Sequence, residues 1–359
     1  MKAMVLAAGK GTRLFPLTGE IPKPLALVVD VPIIQHIFNL LADHAIGQIY
    51  VNVHYLADAL LEAYGEESRI NGVTVCLRRE KALMGTAGSV KRLAGEVDDT
   101  FLVVMGDALT DINVGELVAF HKEKGALATM ALKEVYDTSE YGVVEVDGVG
   151  YILGFEEKPK PEEARSVLAN TGIYVLEPGV LDYIPQNTCF DFARDVFPKL
   201  LVAGERFIGY QGDFYWSDIG TLEAYRQAQY DVLSEKVGVK VPGERRSKSL
   251  WVGKDAHIHP TARLEGCTVI GRGAVIGRGV VLSEGTTVGS ECWVGPGSTI
   301  KRGVLLPGTC VGRGAYLEDC IVGYGYDVRP GERIKGGALM RRSADRVSHG
   351  NLVKEKALV

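Results

Sequence analysis

Apolar positions obey two different rules along this chain, and the change falls near position 250. In residues 1–235, short apolar runs alternate with stretches of helical spacing. Met4–Ala7, Ile49–Val53, Val73–Leu77 and Phe101–Met105 are nearly continuous and predict buried strands. Between the first two, Ile33, Ile34, Ile37, Leu40 and Leu41 recur at helical spacing, and Pro32 stands where a first helical turn accepts a fixed φ. Asn113 followed by Glu116 predicts a capping box before a second helix. Alternation of this kind predicts a mostly parallel sheet with helices on both faces.

From position 258 the rule changes. An aliphatic recurs every six positions through Ile258, Leu264, Ile270, Ile276, Leu282, Val288, Val294, Ile300 and Leu306. The series slips by one to Val311 and Leu317, slips again to Val322, and continues through Val328 and Ile334. Glycine often follows the aliphatic, as at Gly271, Gly277, Gly289, Gly295, Gly312 and Gly323. A period of six suits neither a helix nor a lone alternating strand. It suits a triangular solenoid in which each short strand points one aliphatic inward and a turn follows. The pattern resembles the hexapeptide repeats of left-handed parallel β-helices; an irregular glycine-rich β-domain is the alternative. The expected fold class is therefore α/β, a Rossmann-like mixed, mostly parallel sheet over 1–235, then a left-handed parallel β-helix over 251–335. Residues 236–250, with Pro242, Gly243 and the run Glu244-Arg245-Arg246, read as a linker. The polar tail 336–359 carries no assigned function.

A chain of 359 residues exceeds one ordinary domain, which agrees with this division. The formal charge of −5 gives no broad pull toward nucleic acid or an anionic membrane. No run reaches the ~18 apolar residues of a membrane span. Met1–Ala8 is apolar but short and runs straight into Gly9-Lys10-Gly11, so it reads as a strand and not a signal peptide. The six cysteines form no CxxC pair and read as buried thiols of a reducing compartment. A cytoplasmic protein is expected.

The candidate chemistry begins after the first strand, at Leu6-Ala7-Ala8-Gly9-Lys10-Gly11-Thr12-Arg13-Leu14, followed by Pro22-Lys23-Pro24. Glycines here let backbone N–H groups approach a phosphate. A Walker A loop is absent, and the dinucleotide fingerprint would need glycine where Leu14 stands. Arg13 offers a forked donor set and Lys23 a compact charge. Asp107 follows the buried run ending at Met105, where a carboxylate can hold a hard cation. Asp218 supplies a second carboxylate in Trp216-Ser217-Asp218-Ile219-Gly220-Thr221, and Asp111 is a lower-ranked spare.

Gly-Thr-Arg-Leu-Phe-Pro-Leu-Thr with Pro-Lys-Pro-Leu resembles the entry motif of the sugar nucleotidyltransferase family. The resemblance extends through Glu80–Gly88, Tyr141–Val144, Phe155–Pro159, Asn170–Tyr174 and the Phe192–Leu200 stretch. It implies that a sugar 1-phosphate attacks an NTP to give a nucleotide sugar and pyrophosphate, with Mg2+ held by Asp107 and Asp218. Arg13 and Lys23 would hold the phosphates, and Leu6, Ala8, Gly9, Gly11, Thr12, Gly85 and Thr86 would line the nucleotide. Gly142, Glu157, Lys158 and Asn170 would line the sugar phosphate. Glu80 falls at the family's base-reading position. A carboxylate only accepts, which matches the adjacent N1–H and 2-amino donors of guanine, so GTP is the expected nucleotide, and the resemblance implies mannose 1-phosphate as its partner. Ala8 resembles uridylyl-transferring members instead. Uridylyl, thymidylyl or adenylyl transfer to glucose 1-phosphate therefore stays open, as does a non-catalytic regulatory relative. An acyltransferase would want a histidine within the mature coils, and His257 and His259 sit only at the first coil. A homo-oligomer built through the β-helix is expected.

Overall fold

The computed structural model describes residues 1–341, so most of the 336–359 tail lies outside the described residues. The chain divides into two compact units, Met1–Lys240 and Val241–Val359. Among the described residues no helix is long and apolar enough to cross a membrane, and none of the six cysteines forms a disulfide. Cys76, Cys292 and Cys320 are buried as expected, whereas Cys189 is exposed.

The first unit is built on a ten-stranded mixed sheet. Its centre is parallel, with Lys2–Leu6 between Phe101–Met105 and Gln48–Val53, and Val73–Arg79 beyond. Leu168–Leu176 runs antiparallel to Phe101–Met105 and leads to the Gly142–Val146 and Ile152–Glu157 hairpin. Because side chains alternate across a strand, the sheet builds two cores at once. Ala3, Val5, Leu102 and Val104 face Ile34, Ile37 and Leu41 of helix Ile33–Asp43 and Leu117 of helix Val114–Lys124. Met4, Leu6, Phe101 and Val103 face Val90 of helix Gly85–Arg92 and Phe197 and Leu200 of helix Phe197–Val202. Asn113 caps helix Val114–Lys124 as expected, its side chain accepting from Glu116 N at 3.1 Å, but the return bond to the Glu116 carboxylate at 2.8 Å comes from the Asn113 side-chain amide and not from its backbone N–H. Pro32 occupies the N-cap of the helix it was expected to open.

The second unit is a left-handed β-helix of three parallel sheets. Ile270, Val288, Leu305 and Val322 stack on one side; Ile276, Val294, Val311 and Val328 on the next; Leu282, Ile300, Leu317 and Ile334 on the third. All but the partly buried Ile334 are closed from solvent in one core. The register corrects one position. Leu305, not Leu306, is the stacked residue, so the slip occurs at the corner before it. Both leucines are buried, and the ladder decides between them: Gly289 N donates to Leu305 O at 2.8 Å.

Part of the stretch read as linker is ordered. Glu244–Ser247 pairs antiparallel with Leu250–Val252 and so lies along the first edge of the sheet. Its exposed Glu244, Arg245 and Arg246 are what a protected sheet edge carries. Coil strands also continue past 335 to Ala338–Leu339. His257 and His259 are exposed on the first coil, and His259 Nδ1 bonds Thr261 Oγ1 at 2.9 Å.

Candidate active site

Strand Lys2–Leu6 ends in a loop whose shape is set at Gly11. That residue has φ 60, and a Cβ there would lie 2.9 Å from Lys23 Cβ. Glycine therefore lets the loop close on the Lys23 segment. Gly9 differs, since a Cβ there would meet open space. The carbonyl of Gly11 accepts from Thr18 Oγ1 at 2.8 Å and from Leu14 N at 3.1 Å, which closes the short turn Thr12–Leu14. That turn carries Arg13.

Two cavities open beyond the carboxyl ends of the central strands, where sites form in sheets of this kind. The first is lined by Leu6, Ala8, Gly9, Asn52, Glu80, Leu83, Gly85 and Cys189, among others. The second is lined by Arg13, Glu140, Tyr141, Gly142, Asn170, Trp216 and Asp218, among others. They share Lys23, Thr86, Met105, Asp107 and Asp191, so they form one cleft with two ends.

The charged residues meet at the junction. Lys23 is only 5% exposed. Its Nζ lies 3.0 Å from Asp107 Oδ2 and donates to Asp218 O at 2.5 Å. Arg13 lies 3.0 Å from Asp218 Oδ2 and 3.0 Å from Glu140 Oε2. Burial works against the guanidinium charge, but Asp218 and Glu140 together carry its pKa above the ordinary value. The two aspartates are remote in sequence and meet through a small ladder. Trp216 pairs antiparallel with Thr110 and Ser217 with Leu109, which brings Asp218, directly after its strand, toward Asp107, two residues before the other.

The donor set suits a magnesium ion. Among the described residues no cluster of three or more His, Cys, Asp or Glu could hold a metal by itself. Two carboxylates in one cavity are the set that magnesium takes when waters and substrate phosphates complete its shell. Asp111 belongs elsewhere. Its carboxylate accepts from Tyr215 N at 2.6 Å and from Gly238 N at 2.7 Å, which spends it on the backbone.

The remaining candidates divide. Asn170 accepts from Gly172 N at 2.9 Å and Tyr174 Oη at 3.0 Å through Oδ1, which leaves its NH₂ group as the donor toward the cavity. Gly142 pairs with Glu157 across the hairpin, and a Cβ on it would lie 3.1 Å from Glu157 Oε2. Glu157 and Lys158 are exposed, outside the residues lining either cavity, and Lys158 takes a left-handed φ of 49 at the strand end. Thr12 is exposed and also lies outside both linings.

Three residues escaped the sequence reading. Asp191 accepts from Thr86 Oγ1 at 2.8 Å while capping the turn Phe192–Val196, so it joins two distant segments at the cleft's centre. Gly85 permits this approach, since a Cβ on it would lie 2.4 Å from Phe190 O. Glu140 pairs with Arg13. Asn52 touches Glu80, which is 6% exposed; Asn52 Nδ2 donates to Glu80 Oε1 at 3.2 Å. Glu80 Oε2 is buried with no hydrogen-bond partner. Asn52 had a sequence signal, a polar side chain inside an apolar run. Asp191 had a weaker one, an acid before a helical stretch.

Comparison with known proteins places this cleft in context. A family model described as nucleotidyl transferase matches residues 2–235. A UTP–glucose-1-phosphate uridylyltransferase of Synechocystis is 39% identical, covering 90% of this chain and 87% of its own. A mannose-1-phosphate guanylyltransferase of Mycobacterium tuberculosis is 32% identical, covering 88% and 82%. Among solved structures, HddC from Yersinia pseudotuberculosis complexed with GMP-PN superposes with a TM-score of 0.56 at 24% identity. It covers 64% of this chain and 99% of that one, a likeness of fold.

Proposed function

The chain belongs to the nucleotidyl transferase family as a sugar-1-phosphate nucleotidyltransferase, and we propose that it uses GTP and mannose 1-phosphate, releasing GDP-mannose and pyrophosphate. The observation that carries the guanine reading is Glu80 Oε2. A buried carboxylate oxygen without a donor is costly, and Glu80 is among the residues that line the cavity beside the glycine loop. Guanine presents two adjacent donors there, and a carboxylate accepts both.

In this reading the triphosphate lies across the shared junction. A phosphate oxygen of the sugar 1-phosphate attacks the α-phosphorus, the bond between that phosphorus and the bridging oxygen breaks, and pyrophosphate leaves with the electron pair. The reaction needs alignment and charge neutralisation and no protein nucleophile. Asp107 and Asp218 would hold Mg2+, which supplies positive charge to the phosphates when bound. Lys23 and Arg13 exchange their carboxylate partners for phosphate oxygens. Leu6, Ala8, Gly9, Gly85 and Thr86 wall the nucleotide end, with Gly11 and Thr12 shaping the loop that carries Arg13. Gly142 and Asn170 contact the sugar ring. Glu157 hydrogen-bonds its hydroxyls, and the exposed Lys158 meets its phosphate from the strand end. The free cysteine thiols accord with work in a reducing compartment such as the cytoplasm.

Uridylyl transfer to glucose 1-phosphate is the second reading, supported by the Synechocystis relative. A pyrophosphate-release assay crossing four NTPs with mannose and glucose 1-phosphate decides between them. GTP with mannose 1-phosphate should give the highest kcat/KM, EDTA should abolish turnover, and magnesium should restore it. A higher kcat/KM for UTP overturns the guanine assignment, and full turnover in EDTA overturns the metal roles of Asp107 and Asp218.

A further inference from the structure

Strand Gln48–Val53 is paired on both edges, and five of its six residues are buried. Asn52 is 5% exposed, so both ends of its amide need partners. Its Oδ1 accepts from Ala7 N at 2.8 Å, and its Nδ2 donates to Glu80 Oε1 at 3.2 Å. The backbone N–H of Ala7 can only donate, so it holds the amide oxygen toward itself and turns the NH₂ group to the carboxylate. The next two residues hold the backbone of the same glutamate. Glu80 N donates to Val53 O at 2.8 Å, and His54 Nδ1 bonds Glu80 O at 2.9 Å. Three consecutive residues thus grip Glu80 and leave Oε2 as its one unpartnered oxygen.

We propose that Asn52 is a positioning residue that determines base specificity: it ties the Glu80 carboxylate to the first amide of the glycine loop, so that Oε2 faces the base as a fixed acceptor. A carboxylate turns readily about its terminal torsion, and one bonded oxygen removes that freedom. The fixed edge rewards guanine donors and opposes the carbonyl acceptors of uracil. The same relay couples the base end of the cleft to the loop at its phosphate end. This inference rests on the guanine reading of the cavity, and its test separates the two.

The measurement is kcat/KM for GTP and for UTP, with one sugar 1-phosphate, in wild type, Asn52→Leu, Glu80→Gln and the double variant. Asn52→Leu should lower the GTP-to-UTP ratio about 5- to 20-fold, the scale of one lost hydrogen bond near a charge. In the Glu80→Gln background it should change the ratio no further. The ratio cancels the folded fraction of each preparation, so a less stable variant still reports. Asn52→Asp keeps the bond to Ala7, sets a like charge against Glu80, and should lower the ratio as well. An unchanged ratio in both Asn52 variants, with Glu80→Gln shifting it, overturns the Asn52 role and leaves the guanine reading standing. Equal losses for the two nucleotides in the Asn52 variants, the mark of a structural residue, overturn it too. An unchanged ratio in Glu80→Gln overturns both.

Discussion

Replacing Lys23 with methionine keeps the aliphatic stem and removes the charge, which separates two roles of this side chain. In the structure Lys23 pairs with Asp107 at 3.0 Å and donates to Asp218 O at 2.5 Å. At that distance a unit pair is worth ~5 kcal/mol with an effective dielectric of about 20, before the cost of desolvating both ions. Removing one partner of a fully buried pair costs ~3–5 kcal/mol, because the other charge is left alone. Here the Asp107 side chain is 31% exposed, so water replaces part of the interaction. A stability loss of about 2–3 kcal/mol is expected, a fall in Tm of roughly 4–12 °C by calorimetry. In the proposed reaction Lys23 would face the triphosphate, where a preorganised donor is worth ~3–4 kcal/mol, so kcat/KM for the NTP should fall roughly 100- to 1000-fold. The two losses are measured independently. A variant that loses Tm as expected but keeps kcat/KM within about threefold shows Lys23 to be a structural counter-ion for Asp107. Its assignment to the phosphates would then be wrong.

Gly11→Ala meets two obstacles, a φ of 60 and a Cβ 2.9 Å from Lys23 Cβ. It should cost about 1–2 kcal/mol in chemical denaturation and lower kcat, because relief pushes the Lys23 stem aside; unchanged values in both would refute the close approach. Burial holds the pKa of His36 below its ordinary 6.5, with only the bond to Val28 O opposing. The unfolded chain gains this proton first as pH falls, so stability present above 6.5 is lost below it. The drop in Tm between about pH 7.5 and pH 5.5 should therefore be smaller in His36→Gln than in wild type, and an equal drop removes His36 as a cause. Deleting the second unit from Val241 onward should lower the oligomeric state seen by light scattering, because stacked coils present flat sides and open edges for self-association. An unchanged number of chains per particle rules out the β-helix as the assembly element.

Much of the fold was legible in the chain because its determinants are local. Each coil of the β-helix touches only its neighbours, so the aliphatic period writes the architecture directly into the sequence. The alternating runs before it did the same for the sheet, and the Asn113–Glu116 cap lies within one turn. Where two answers were locally equal, the sequence could not choose. Leu305 and Leu306 are both buried leucines, and only the ladder to Val288 selects one. The charged Glu244–Ser247 segment looks like solvent-facing linker until its strand partner is known.

The site divides the same way. Its residue types could be named one by one, since glycines, cations and strand-end carboxylates carry their chemistry with them. Their partnerships could not, because each depends on segments far apart in the chain. Asp107 meets Asp218 through a two-residue ladder, Thr86 meets Asp191 across a gap that only Gly85 permits, and Asn52 reaches Glu80 from a neighbouring strand. Hydrophobic periodicity records which face of an element is buried. It holds no record of which polar group waits on the other side, and that is decided when the strands align.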